Sequence, residues 1–211
     1  MSEWNSLYDA ILTGDDKTAT AVTEEALEKG AEPLELVNQY MVPAMDEVGK
    51  RFEEEEYFIP EMLLSARAME RSLALIQPRL AASGAKPIGR VAIGTVKGDQ
   101  HDIGKNLVRS MLQGGGFEVY DLGMDVPHEK FIEAIQEKDV NIVCLSTLLT
   151  TTMPSMKTII DNIQQAGLRD RVKVMVGGAP ITPEFADQIG ADCYGDSAYS
   201  AVKLARNLIS A

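Results

Sequence analysis

The feature that most limits how this chain can fold is a regular alternation of short apolar runs and helical segments after residue 87. Five runs predict strands, at residues 90–95, 117–120, 140–145, 172–176 and 193–194. Each is followed by a segment with helical spacing of apolar residues, and the third run is almost wholly apolar, as in a central parallel strand. Right-handed crossovers then predict an α/β domain with a flavodoxin-like, doubly wound, five-stranded parallel sheet of order 2-1-3-4-5.

The first 86 residues follow a different pattern, with apolar residues at helical spacing only. Asp15 is suited to cap a second helix, Pro33 to begin a third, and a fourth begins near Pro60. Four helices with short connections predict an N-terminal four-helix bundle at residues 1–86, followed by the sheet domain at 87–211. The small, breaker-rich stretch 83–87 is predicted to be the linker, and we expect it to act as a hinge.

Charge and composition exclude several classes of function. The 211 residues include 32 acidic and 20 basic side chains, for a formal charge of −12, which opposes nucleic-acid binding. No apolar run approaches the roughly 18 residues needed to cross a bilayer, and the start lacks the pattern of a secretory signal. The two cysteines lack metal-ligand spacing and are expected to be free thiols. We therefore expect a soluble, cytoplasmic protein that binds neither membranes nor nucleic acid.

The predicted strand order places a ligand crevice at the carboxyl ends of strands one and three. The loop after strand one reads KGDQHDIGKN (residues 97–106), the loop after strand three reads STLLTTT (146–152), and strand four is followed by GGA (177–179). A phosphate loop is excluded, because no G-x-G-x-x-G is present and Gly104-Lys105 precedes Asn106 instead of Ser or Thr. A response regulator is excluded as well, since strand three does not end in an acceptor aspartate.

Three interpretations of Asp99, His101 and Asp102 stay open on spacing alone. They could form a site for a first-row metal in a hydrolase, although three donors so close in sequence do not easily surround one ion. The two aspartates could simply cap the following helix, with His101 an exposed loop residue. Alternatively, a planar macrocycle supplies four ligands to its metal and His101 supplies one more, with Asp99 accepting the Nδ1–H hydrogen bond of the imidazole.

The set G-D-x-H-D-I-G-K-N, S-x-L and G-G at the ends of strands one, three and four resembles the cobalamin-binding domain of methionine synthase. It resembles more closely the small corrinoid proteins of methanogen and acetogen methyltransfer systems, over nearly the whole chain. The resemblance implies cobalamin or a related corrinoid, bound base-off and histidine-on. His101 is then the lower axial ligand of cobalt, Asp99 orients it, and Gly104 permits close packing under the corrin.

The same resemblance implies further site residues. It assigns the hydroxyl partner of the Asp–His pair to Thr152, and it places apolar cap residues of the helical half, Phe52, Ile59 and Met62, over the upper face of cobalt. Core packing is the alternative for Met62. The other residues implied to contact the cofactor or its displaced nucleotide tail are Asp102, Ile103, Ser146, Leu148, Thr150, Gly177, Gly178, Ala179, Tyr194, Ser197 and Ala198.

The implied function is methyl carriage. Co(I) takes a methyl group from a substrate on a substrate:corrinoid methyltransferase, and methyl-Co(III) delivers it to a second methyltransferase with tetrahydrofolate or coenzyme M as acceptor. A reductive activase is a further implied partner. Such a chain is a carrier subunit and not a complete enzyme. The alternatives are a corrinoid-dependent sensor or regulator and the metal-dependent hydrolase, and the methyl donor is left open.

Overall fold

The computed structural model describes residues 4–83 and 87–210. The chain divides into two compact units, one made of Met1–Pro87 with Gln113–Gly116, the other of Ile88–Leu112 with Phe117–Ala211. Residues 84–86 of the predicted linker lie outside the described part of the chain, so the hinge stays a prediction. Within the described residues, no helix is both long enough and apolar enough to span a membrane.

The first unit is helical throughout, as predicted. It contains α1 (Asn5–Leu12), α2 (Asp16–Glu28), α3 (Pro33–Leu36), α4 (Val42–Glu53) and α5 (Ile59–Ser83). Asp15 caps α2 as expected, because its Oδ1 accepts a hydrogen bond of 3.1 Å from the backbone N–H of Thr18.

The predicted third helix is continuous but not uniform. A π-helical segment, Val37–Met41, joins α3 to α4. Pro43 follows one residue into α4, and a proline ring inside a regular α-helix clashes with the carbonyl four residues earlier. The wider π turn relieves that clash, so the third helix extends through the proline.

The core of this unit is formed by the apolar stripes that the sequence predicts. Met62 is fully buried, so this residue has the core environment that was the alternative to its role in a cap. Phe52 is partly buried and Ile59 is half exposed. The large side chains buried completely in the helices include Leu7, Ile11, Leu36, Met41, Met45, Met62, Met69 and Ile76.

The second unit is a five-stranded parallel sheet of order β2-β1-β3-β4-β5, which confirms the predicted fold class. Its strands are β1 (Arg90–Thr95), β2 (Glu118–Asp121), β3 (Ile142–Ser146), β4 (Lys173–Gly177) and β5 (Cys193–Gly195). The helices between and after them are α6 (Ile103–Gly114), α7 (His128–Lys138), α8 (Met153–Gln165), α9 (Pro183–Ile189) and α10 (Ala198–Ser210).

The register of the sheet positions the site. β1 and β3 are hydrogen-bonded neighbours, and Thr95 pairs with Ser146 at their carboxyl ends. Ser146 pairs in turn with Gly177 at the end of β4. The three loops that the sequence singles out therefore leave the sheet side by side at one edge.

Candidate cofactor site

The centre of this edge is the side chain of Asp99, which is 0% exposed. Oδ1 accepts hydrogen bonds from the backbone N–H of His101 at 2.9 Å and lies 2.7 Å from the ring Nδ1 of the same residue. Oδ2 faces the loop after β3, where it accepts from the Thr147 hydroxyl and the Leu148 N–H, each at 2.7 Å. One carboxylate therefore ties the two loops together.

This arrangement decides which nitrogen of His101 is available. A buried carboxylate accepts and does not donate, so the short contact assigns the proton to Nδ1. The remaining lone pair of the imidazole is then on Nε2. The side chain of His101 is 52% exposed, while the Asp99 carboxylate that it contacts is buried. The imidazole ring therefore lies at the surface and is oriented by a fixed carboxylate.

The backbone of the loop after β1 is held at several points. The Thr95 hydroxyl donates to the His101 carbonyl at 2.8 Å. Gly98 has φ +89°, and its N–H donates to Asp125 Oδ1 at 2.7 Å. Asp125 in turn donates its own N–H to the Asp99 carbonyl at 2.9 Å. The loop is thus attached to β1, to the segment after β2 and to the segment after β3.

The electrostatics of Asp99 are set by its donors. Burial alone raises the pKa of this carboxyl, since it disfavours the charged form. The hydrogen bonds from Thr147, from the N–H groups of His101 and Leu148 and from the His101 ring outweigh burial, and they hold the pKa well below its usual range. Asp99 is therefore an anion at neutral pH.

The start of α6 is held by a second polar network. Asp102 Oδ2 accepts from the Asn106 amide at 2.9 Å, so this aspartate is engaged with the first turn of the helix. Lys105 is buried, and its Nζ lies 2.6 and 2.8 Å from the two carboxylate oxygens of Asp121 at the end of β2. Burial alone would raise the pKa of the Asp121 carboxyl. The hydrogen bonds from Lys105 and from the Gly123 N–H, together with the charges of Lys105 and Arg109, outweigh burial and lower this pKa.

A cavity of about 480 Å³ extends from this edge along one face of the sheet. Its floor is a single row across three strands, because Ile93 pairs with Cys144 and Cys144 with Met175. Residues of α6 and α10 also line it. Eight residues predicted from the sequence line this cavity: Gly104, Ser146, Gly177, Gly178, Ala179, Tyr194, Ser197 and Ala198.

The remaining predicted residues of this unit lie in the two loops at the sheet edge. Ile103 is 76% exposed and Leu148 46% exposed at the carboxyl ends of β1 and β3. Thr150 is exposed and begins the 3₁₀ turn Thr150–Thr152. Thr152 is buried, and its hydroxyl donates to Asp99 Oδ2 at 3.4 Å, while the Thr147 hydroxyl lies closer to the same oxygen, at 2.7 Å.

Sequence reasoning missed two groups of residues. The motif assigns Ser146 and Leu148 but not Thr147, which lies between them. The apolar pattern of the strands does not distinguish the residues that floor the cavity from ordinary core residues. Only the register of the sheet reveals this floor, since Ile93, Cys144 and Met175 pair across β1, β3 and β4.

The site fits a large planar group with one protein ligand. Exposed apolar side chains on the loops, Ile103, Leu148, Leu149 and Met124, lie at the carboxyl ends of β1, β3 and β2. A Cβ added at Gly104 would meet no atom within 4 Å, so space is open above the start of α6. His101, with its Nδ1 held by Asp99, offers a single nitrogen donor beside an elongated cavity. These features match the ligand set expected for a corrinoid.

The hydrolase interpretation fits less well. Within residues 4–83 and 87–210, no three His, Cys, Asp or Glu side chains come together as ligands for one metal ion. Both carboxylates of the candidate set are already engaged, Asp99 with the loop after β3 and Asp102 with Asn106. Only His101 of the three directs a donor outward.

Comparison with known proteins agrees with this geometry. Residues 89–203 match the B12 binding domain family, and residues 4–77 match a second family with the same description. The chain is 44% identical over 203 residues to "Trimethylamine corrinoid protein 1" of Methanosarcina acetivorans, covering 95% of this chain and 94% of that protein. It is 45% identical over 207 residues to "Dimethylamine corrinoid protein" of Methanosarcina barkeri, covering 97% and 96%.

Solved structures give the same result. A cobalamin-binding protein from Desulfitobacterium hafniense superposes with a TM-score of 0.79 at 31% identity, covering 98% of both chains. A chain of the methanol:cobalamin methyltransferase complex of Methanosarcina barkeri gives 0.86 at 30% identity, covering 97% of this chain and 78% of that one. The chain belongs to the B12-binding family of methyltransferase corrinoid proteins, and its cofactor is a cobalamin-type corrinoid.

Proposed function

We propose that this chain carries methyl groups on its corrinoid within a methylamine methyltransferase system. The observation that carries the proposal is the buried Asp99 carboxylate, which directs one histidine nitrogen outward beside a long cavity at the sheet edge. Similarity over almost the whole chain to trimethylamine and dimethylamine corrinoid proteins supports the amine class of donor.

In this proposal His101 Nε2 would be the protein ligand that holds the cobalt of the corrinoid. The corrinoid supplies a cobalt centre that accepts a methyl group and gives it up again. Asp99 keeps the proton of His101 on Nδ1, which fixes the tautomer and strengthens Nε2 as a donor.

The cavity is proposed to hold the displaced nucleotide tail. Gly177 and Gly178 line the cavity at the end of β4, where the lack of side chains lets the carbonyl oxygens of Gly195 and Thr147 approach closely. Ser146, Tyr194 and Ser197 supply hydroxyl groups that can bond to the polar parts of such a tail. The upper-face roles of Phe52, Ile59 and Met62 stay predictions from the sequence.

Three partners follow from a carrier role. A substrate:corrinoid methyltransferase would supply the methyl group, a second methyltransferase would pass it to tetrahydrofolate or coenzyme M, and a reductive activase would be the third partner. A DNA-binding regulator is less well supported, because the formal charge of −12 opposes binding to a polyanion.

The ligand assignment is tested by reconstituting the chain with cobalamin without oxygen and recording the visible spectrum. His101→Ala is expected to bind corrinoid but to show cobalt without a nitrogen ligand below. The matched control is His128→Ala, since His128 is the only other histidine in the chain and begins α7. An identical spectrum for His101→Ala and the wild type would contradict the assignment.

The donor class is tested by mixing the reduced, reconstituted chain with methyltransferase partners of the Methanosarcina amine corrinoid proteins. The change in corrinoid absorption measures the rate of methylation. We expect this rate to be at least tenfold higher with trimethylamine or dimethylamine than with methanol and a methanol methyltransferase. Faster methylation from methanol would overturn the amine assignment and leave corrinoid binding untouched.

A further inference from the structure

The loop after β3 contains a hydroxyl group with a place in the site that the motif does not assign. Thr147 is 1% exposed and follows the last residue of β3. Its Oγ1 lies 2.7 Å from Asp99 Oδ2 and 2.6 Å from Thr152 Oγ1. Thr152 itself stands 3.4 Å from the carboxylate, with its hydroxyl also 3.0 Å from the Leu149 carbonyl.

Proton counting gives these contacts a direction. Asp99 is an anion and accepts only, so the single hydroxyl proton of Thr147 is donated to Oδ2. In the short contact between the two threonines, Thr152 must then be the donor and Thr147 the acceptor. The order is therefore Thr152 to Thr147 to Asp99, with the His101 ring donating to the other oxygen of the carboxylate.

The backbone of Thr147 is fixed from the far side. Gly178 has φ +131°, and a Cβ there would overlap the Thr147 carbonyl oxygen. The Thr147 N–H also donates to the Gly177 carbonyl at 3.3 Å. The backbone that carries the Thr147 hydroxyl is therefore held against the end of β4, while Thr152 belongs to the separate 3₁₀ turn.

We propose that Thr147 is the positioning residue that sets the orientation of the Asp99 carboxylate and thereby of the His101 ring, with Thr152 acting through it. The proposal rests on the proposed role of His101 as the corrinoid ligand. Donors on both oxygens prevent the carboxylate from rotating about its Cβ–Cγ bond, so Oδ1 stays aligned with Nδ1. Without the Thr147 hydroxyl, Oδ2 keeps the N–H groups of Leu148 at 2.7 Å and Leu149 at 3.3 Å and the more distant Thr152 hydroxyl at 3.4 Å.

The test compares two isosteric variants, Thr147→Val and Thr152→Val, with Thr147→Ser as the rescue. In the corrinoid-free chain, NMR measures the exchange with water of the His101 Nδ1 proton, which is distinguished from that of His128 by a His128→Ala background. We expect exchange at least tenfold faster in Thr147→Val than in Thr152→Val, because a hydrogen bond to a charged group is lost. Thr147→Ser should return the wild-type rate.

The same variants are then reconstituted with cobalamin. The ratio of nitrogen-ligated to unligated cobalt in the visible spectrum is expected to fall about tenfold in Thr147→Val and to be restored in Thr147→Ser. Thermal unfolding of each free variant separates this effect from loss of folded protein. Equal behaviour of Thr147→Val and wild type in both measurements, or a larger effect of Thr152→Val, would overturn the proposal.

These readouts separate the two levels of inference. If the wild type fails to bind corrinoid, or binds it without a nitrogen ligand, the proposed function fails, and the exchange rates in the free chain still decide the role of Thr147. If the wild type shows nitrogen-ligated cobalt while Thr147→Val is indistinguishable from it, the function stands and the positioning role is wrong.

Discussion

A buried aspartate is costly unless its charge is fully satisfied, and Asp99 is satisfied from two directions. Its oxygens face different loops, one toward His101 and the other toward Thr147 and Leu148. This division gives the histidine a defined tautomer and orientation before any cofactor is bound. The carboxylate is therefore both a structural tie and the group that prepares the ligand.

Gly104 supports a prediction at this scale, because its side-chain space is open in the cofactor-free chain. Gly104→Ala is expected to raise the free energy of unfolding of the free chain by a few tenths to about 1 kcal/mol, since alanine favours a helix more than glycine does. The added methyl lies in the lining of the cavity, so cobalamin affinity should fall at least about tenfold.

Thermal unfolding and cobalamin titration of the same purified variant check the two effects. Their opposite signs serve as an internal control, because a misfolded variant would lose both stability and affinity. Undiminished cobalamin affinity in a stabilised variant would show that Gly104 is not in contact with the corrin.

Residue identities in the site were predictable only where the spacing itself carries information. Asp99 and His101 stand two residues apart in a loop, a spacing that allows carboxylate and imidazole to meet. Thr147 is one of several hydroxyl residues in STLLTTT, and the sequence alone does not say which hydroxyl turns toward Asp99. The sequence does not contain the tertiary contacts of this loop, such as the close approach of Gly178 to the Thr147 carbonyl.

At the scale of elements, the site depends on how closely the ends of β3 and β4 approach each other. Gly178→Ala introduces a Cβ that overlaps the Thr147 carbonyl, at a backbone angle that disfavours alanine. We expect a loss of about 3 kcal/mol or more in the free energy of unfolding, together with a reduced fraction of nitrogen-ligated cobalt. Denaturant unfolding and the visible spectrum of the reconstituted variant measure the two.

The matched control is Gly167→Ala, which has φ +69° and would meet nothing within 4 Å of an added Cβ. It carries the backbone cost of roughly 1–2 kcal/mol without the overlap, and its corrinoid spectrum should be that of the wild type. Similar losses and similar spectra for the two alanine variants would refute a specific role for the contact between Gly178 and Thr147.

Periodicity predicted the elements well because it reports on burial. The five strands lie within two residues of their predicted positions, β1 agrees at both ends, and each strand is followed by a helix as predicted. The π-helical segment was not predicted, since apolar spacing does not register one extra residue in a turn. The cavity was missed for a related reason: apolar residues that floor a cavity and apolar residues of a filled core have the same pattern.

At the scale of the whole molecule, two patterns of sequence correspond to two compact units. The helical unit and the sheet unit each match a family described as a B12 binding domain, at residues 4–77 and 89–203. The charge of −12 is spread over a chain whose relatives are corrinoid proteins. This negative charge is more compatible with binding to protein partners than with binding to a polyanion such as nucleic acid.

The strand order has a consequence for how the site forms during synthesis. The hydrogen bond between Asp99 and Thr147 joins residues 48 positions apart, and it forms between strands that are neighbours in space but third and first along the chain. A nascent chain that ends before β3 contains Asp99 and His101. It lacks the loop after β3, whose donors orient the Asp99 carboxylate. The chain can therefore bind corrinoid in this way only after β3 and the loop that follows it have left the ribosome.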